Sequence, residues 1–148
     1  MKVAAIQSVI RKKQKSYKRS TPQHVAENIL NREFTAEKPN EKWVTDVTEL
    51  KYGSSKKAYL SAILDLYDGS IVSYVLGHSN NNHLVFKTLD QATALLKGEH
   101  PLIHSDRGFQ YTSHGFKRRI EQAGMTQSMS RVGRCIDNGP MVSFWGTL

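Results

Sequence analysis

Between Trp43 and Leu76 the sequence passes through three successive runs of β-branched and aromatic residues, which commits the first half of the fold to an antiparallel sheet. Trp43-Val44-Thr45-Asp46-Val47-Thr48-Glu49-Leu50 predicts the first strand. Ala58 to Tyr67 and Ser70 to Leu76 flank Asp68-Gly69, a two-residue turn signal, so these strands are expected to form a hairpin. Asn80-Asn81-Asn82 then offers N-caps to a helix whose apolar positions Val85, Leu89, Ala92 and Leu96 recur at helical spacing, with Gly98 as its stop.

The second half alternates. A short strand at Leu102-Ile103-His104 leads into a helix capped by Thr112 or Ser113, with Phe116, Ile120 and Ala123 on one face and Gly124 at its end. A strand from Thr126 to Met129 follows, then a final helix opened by Asn138-Gly139-Pro140, where Pro suits a first helical position. Three antiparallel strands followed by alternating helices and strands predict an α/β fold, a mixed sheet with helices on both faces. That is the ribonuclease-H-like arrangement, and other α/β folds share the strand count.

At 148 residues the chain has room for one domain. The single Cys135 excludes an internal disulfide and suits a reducing compartment, so a cytoplasmic location is expected. No apolar stretch approaches the length of a signal peptide core or a membrane span, so no membrane partner is expected. The net charge of +8 points to an acidic polymer. Most of that excess lies in residues 1–40, with nine basic side chains against three acids. Arg11, Lys12, Lys13, Lys15, Lys18 and Arg19 fall there without an intervening acid. The reading is a basic arm or linker over 1–40 attached to a nearly balanced domain over 41–148; such an arm is either a solvated tail or a set of phosphate contacts. Arg131 and Arg134, in a loop after the last strand, carry the same two readings.

Two carboxylates stand where local propensity would not put them. Asp46 lies mid-strand among Trp43, Val44, Val47 and Leu50, and a bare buried carboxylate costs several kcal/mol or more unless paired, protonated or metal-bound. Asp106 ends a strand just before Arg107-Gly108, where α/β sheets commonly present functional groups. If their strands are neighbours the two converge, and hard oxygen ligands without a His/Cys cluster suit Mg2+ or Mn2+ rather than zinc. The competing reading makes Asp106-Arg107 a strand-end turn and pairs Asp46 with a lysine. Asp65, immediately before the hairpin, is assigned a turn or ion-pair role and left out of the site. His104 is read as a packed strand residue, and Lys117-Arg118-Arg119 as the exposed face of its helix.

From about Arg11 to Leu148 the chain resembles the catalytic half of bacterial insertion-sequence transposases of the integrase-like DDE family, relatives of retroviral integrases. The likeness is carried in order by Asn31-Arg32-Glu33-Phe34, by Pro39-Asn40-Glu41-Lys42-Trp43-Val44-Thr45-Asp46-Val47-Thr48, by His104-Ser105-Asp106-Arg107-Gly108 with Gln110-Tyr111, and by Asp137-Asn138-Gly139-Pro140-Met141 leading into Ser143-Phe144-Trp145-Gly146-Thr147-Leu148. The resemblance implies a ribonuclease-H-like core in which two Asp and one Glu hold two divalent metal ions for DNA cleavage and strand transfer. It implies DNA as partner, together with further copies of the chain or subunits of an intact transposase.

Asp46 and Asp106 match the two aspartates. The family's glutamate follows the second after thirty-five intervening residues, at position 142, which is valine here. An isopropyl group offers no oxygen to a metal. Loss of groups that merely surround a metal site costs about 10- to 100-fold in affinity or activity, so loss of a ligand is expected to cost at least as much. Met141, Phe144, Trp145 and Leu148 recur as an apolar stripe, which Val142 is expected to extend at its rim. The family continues beyond Leu148, so the final helix is read as truncated, with Phe144 and Trp145 open to exposure.

Overall fold

The computed structural model describes residues 25–131 and 139–147. Its elements run β1 (Lys42–Tyr52), β2 (Lys56–Asp65), β3 (Ile71–Gly77), α1 (Asn82–Thr93), β4 (Leu102–Ser105), α2 (His114–Gln122), β5 (Thr126–Met129) and α3 (Gly139–Thr147). The five strands form one sheet in the order β3-β2-β1-β4-β5. β1 to β3 are antiparallel neighbours, and β4 joins β1, and β5 joins β4, in parallel. This is the mixed sheet the strand pattern predicts.

The hairpin differs from its expectation in one detail. β2 leaves the ladder at Asp65 rather than Tyr67, because the Leu66 amide donates to the Lys42 carbonyl at 2.9 Å and the Asp65 carboxylate accepts from the Tyr67 amide at 3.0 Å. The connection therefore spans residues 66–70, with Gly69 at φ +74. Asp65 thus has the turn role assigned to it, and its other carboxylate oxygen takes the Asn40 amide at 2.9 Å.

Alternation along β1 divides the core in two. Trp43 and Ile63 face α1 and α2, where they pack with Val85, Leu89, Phe116 and Ile120. Val44, Ala62 and Leu64 face the other way, against Leu30 and Met141 of α3. Helices accordingly cover both faces. Both central helices start on side-chain caps: Asn81 Oδ1 accepts from the Leu84 amide and Ser113 Oγ from the Phe116 amide. α1 ends at Thr93, short of the expected stop at Gly98.

The helices approach closely at Gly115, where a Cβ atom would lie 2.6 Å from the Phe86 ring. Arg119 covers that ring at 4.2 Å from its centroid and pairs with Asp90 at 3.2 Å. Arg119 is therefore not part of a solvated face, as the Lys117-Arg118-Arg119 run had suggested. The described part of the 1–40 stretch is likewise no free arm. Leu30 is 1% exposed, its amide donates to Ser128 Oγ at 2.9 Å, and the Met129 amide donates to the Glu27 carbonyl at 3.0 Å. An apolar leucine with a pocket to fill outweighs the solvating charges around it.

Candidate functional site

The parallel ladder between β1 and β4 pairs Lys42 with Leu102, Trp43 with Ile103 and Val44 with His104. Two residues beyond the last pair stand Asp46 and Asp106. With side chains alternating along β1, the Asp46 carboxylate leaves on the side where Val44 packs, within reach of the charge of Asp106. β4 ends at Ser105, so Asp106 emerges at the mouth of the sheet while β1 continues past it.

The two acids sense each other. Burial, reinforced by the charge of Asp106, raises the Asp46 carboxyl to about 6, while hydrogen bonds from the Trp145 indole and the Val47 backbone pull the other way. Asp106 is exposed along one side, yet the protein around its carboxyl still raises its pKa, opposed by the Gly108 amide. That amide donates to Asp106 Oδ1 at 2.8 Å, and a Cβ at Gly108 would stand 3.0 Å from both Asp106 Oδ1 and Gln110 Oε1. A side chain at this position would crowd both oxygens, so glycine eases the turn that holds the carboxylate.

Neighbouring groups brace the loop. Gln110, 4% exposed, donates from Nε2 to Asn80 Oδ1, and Ser113 Oγ donates to the Gln110 carbonyl at 2.7 Å. Burial, then the charges of Asp46 and Asp106, push the Tyr111 phenol well above its usual range. His104 is fully buried, with Nδ1 2.8 Å from Ser128 Oγ and Nε2 3.1 Å from Ser130 Oγ, so both ring nitrogens are engaged as expected of a packed strand residue. Arg107 Nε donates to the Ser130 carbonyl at 2.9 Å, tying the site loop to the end of β5.

Val142 lies on α3, beside fully buried Met141 and one turn before Trp145. It does not extend the apolar stripe: it is 56% exposed, because Met141, Phe144 and Trp145 take the inward positions of the short helix. Phe144 and Trp145 are half-buried against the Leu30 cluster rather than left open. The Trp145 indole donates to Asp46 Oδ2 at 3.1 Å. Of the proposed phosphate contacts, Arg131 is exposed just beyond β5. Arg11, Lys12, Lys13, Lys15, Lys18, Arg19 and Arg134 lie outside the described residues, as does Asp137.

Burial and the charge of Asp106 raise the Asp46 carboxyl, and burial raises that of Asp106, an acid pair whose charge a divalent cation would offset. Among the described residues no three His, Cys, Asp or Glu side chains come close enough together to hold a metal ion, so the acid pair stands there without a third ligand of that kind. Sequence reasoning missed Trp145, Gln110 and Tyr111 as neighbours of the site, having read the first only as part of an apolar stripe. The available signal was its indole N–H, a donor that a half-buried tryptophan has to satisfy.

Comparison with known proteins points to one family. Residues 36–135 match the integrase core domain. An uncharacterized transposase-like protein from Haemophilus influenzae is 46% identical over 125 residues, covering 84% of this chain and 57% of that protein. The putative transposase InsK of insertion sequence element IS150 from Escherichia coli is 43% identical over 138 residues, covering 93% and 48%. The chain thus spans about half the length of these relatives. In fold it is similar to the HTLV-2 integrase catalytic core domain solved in complex with magnesium, at TM-score 0.59 and 24% identity over 73% of this chain and 66% of that one. It is also similar to a chain of the simian T-cell lymphotropic virus intasome, at TM-score 0.67 and 22% identity over 85% and 44%. Among the described residues no helix is long and apolar enough to cross a membrane.

Proposed function

The chain belongs to the integrase core domain family, and from that premise we propose that it is the DNA-integrating domain of an insertion-sequence transposase whose phosphodiester chemistry has been disabled at position 142. The observation that carries the reading is the convergence of Asp46 and Asp106 from parallel strands, with Val142 where the family places a glutamate. Asp46 and Asp106 are the metal-holding and catalytic acids, able to retain one Mg2+ or Mn2+ ion. A divalent ion there supplies electrostatic stabilisation of a phosphodiester's oxygens. Val142 contributes no ligand, so the full two-metal site of the family is not formed.

DNA is the proposed partner. Its phosphates are met by Arg11, Lys12, Lys13, Lys15, Lys18 and Arg19 ahead of the packed segment in sequence, by Arg131 just beyond β5, and by Arg134 three residues later in the sequence. Self-association, or association with intact transposase subunits, accords with the dimeric form and the intasome in which the similar structures were solved. The lone Cys135 suits the reducing cytoplasm where such elements move. Val142 also favours a second reading, a non-enzymatic DNA-binding remnant that interferes with an active transposase.

The test compares the chain with its Val142→Glu variant for Mn2+-dependent nicking of supercoiled plasmid and strand transfer of element-end DNA. Activity confined to the Glu variant supports a disabled integrase domain. Cleavage by the unsubstituted chain refutes the defect, and DNA binding without cleavage by either form favours the interfering remnant. Binding should weaken as salt rises, with a log–log slope of about −0.9 for each neutralised phosphate on duplex DNA.

A further inference from the structure

The contact between α3 and Asp46 involves an uncharged donor on a helix that contributes no acid to the site. Trp145 Nε1 lies 3.1 Å from Asp46 Oδ2, a bond spanning 99 residues of sequence. An indole only donates, so the bond takes up one lone-pair site on Oδ2 of a carboxylate that also accepts from the Val47 backbone. The ring is braced: Trp145 and Phe144 stack at 5.1 Å with their planes tilted by 58°, and both pack against the cluster of Leu30, Val44 and Met141. Residues three apart on a helix are surface neighbours, so the anchor at Trp145 also fixes where position 142 stands relative to β1.

We infer that Trp145 is a positioning residue: through the indole N–H on Asp46 it orients that carboxylate and docks α3 against the acid pair, independently of any ligand from position 142. This rests on the reading of Asp46 and Asp106 as a divalent-cation site. The site's third corner is therefore held in place although its acid is gone, and a carboxylate restored at 142 meets a preformed frame. Trp43 is a built-in control. Its indole donates to Asn40 Oδ1 at 3.2 Å, away from the acid pair at the start of β1.

Two measurements test the inference. In the first, Mn2+ affinity is read from the free-ion electron paramagnetic resonance signal for the unsubstituted chain, Val142→Glu and Val142→Glu/Trp145→Phe. Phenylalanine keeps an aromatic ring in place and removes the N–H. Val142→Glu should bind Mn2+ more tightly than the parent, and adding Trp145→Phe should lower that affinity about 10- to 100-fold, the usual loss when a group orienting a ligand is removed. Equal affinity in the single and double variants overturns the inference, since a merely structural tryptophan would alter stability and not metal affinity.

The second measurement follows the two indole N–H resonances by nuclear magnetic resonance in the metal-free chain. Asp46→Ala should move the Trp145 resonance upfield and leave that of Trp43 in place. An unmoved Trp145 resonance overturns the inference whatever Mn2+ does. A failure of Val142→Glu to gain affinity, with the Trp145 resonance responding, instead counts against the vacant-corner reading of Val142 and leaves the positioning role supported.

Discussion

His104 stands opposite Val44 in the parallel ladder of β1 and β4, and this pairing sets where the two acids two residues further on emerge. A slip of one residue in β4 would carry Asp106 to the opposite face of the sheet. The register is held by the His104 ring between Ser128 and Ser130 of the neighbouring chain segment.

Replacing that ring should therefore be costly. His104→Leu keeps most of the volume but removes partners from two buried hydroxyls, and leaving a buried polar group unsatisfied costs roughly 1 to 3 kcal/mol. A loss of about 2 kcal/mol or more is expected in urea unfolding. Adding Ser130→Ala should recover part of it, because its orphaned hydroxyl then disappears, whereas Ser128 Oγ still accepts from the Leu30 amide.

Asp46 should make stability depend on pH in a defined direction. Its carboxyl is raised from 3.8 to about 6, so between those values the folded chain holds a proton that the unfolded chain has released. The folded state is then favoured at the acid end and loses that advantage as pH rises through 6. Asp46→Asn should accordingly be more stable than the parent, by roughly 1 kcal/mol near pH 4.5 and roughly 2 to 3 kcal/mol at pH 7.5. Parallel urea curves for the two proteins at both pH values check it, and an advantage that shrinks toward neutral pH would contradict the buried carboxylate.

Gly115→Ala sets two effects against each other. Alanine improves helix propensity by about 1 kcal/mol over glycine, while forcing an atom into a packed contact costs about 1 to 3 kcal/mol. The new Cβ would stand 2.6 Å from a Phe86 ring pinned beneath Arg119, so the clash should win by about 1 kcal/mol. A rise in the thermal midpoint would show instead that Phe86 moves aside freely.

Leu30→Ala probes whether the segment before β1 belongs to the domain. Truncating a leucine that is 1% exposed should cost about 2 to 5 kcal/mol in urea unfolding, whereas the same change in a solvated arm would cost nearly nothing.

The sheet and its central helices were legible because their signals are local: β-branched runs in β1 to β3, Asn81 and Ser113 as caps, and the apolar repeat of Val85, Leu89 and Ala92. Asp46 and Asp106 could be singled out because carboxylates sit badly in strands, though only the β1–β4 pairing brings them together. What escaped was long-range. Leu30 was hidden within a basic stretch, and its burial depends on Ser128 and Met141, about a hundred residues away. Val142 was expected on the apolar stripe, but the short α3 fills its inward side with Met141, Phe144 and Trp145. Nothing near Trp145 in sequence indicates that its indole reaches β1.

The 99-residue span between Asp46 and Trp145 also bears on when this site can come into being during synthesis. β1, β2 and β3 can zip together from near neighbours as they leave the ribosome, whereas the acid pair waits for the crossover through α1 and β4, and the indole waits longer still. A nascent chain therefore carries Asp46 on a half-built sheet with no companion charge. The electrostatic crowding of the acid pair is imposed only once β4 has joined β1.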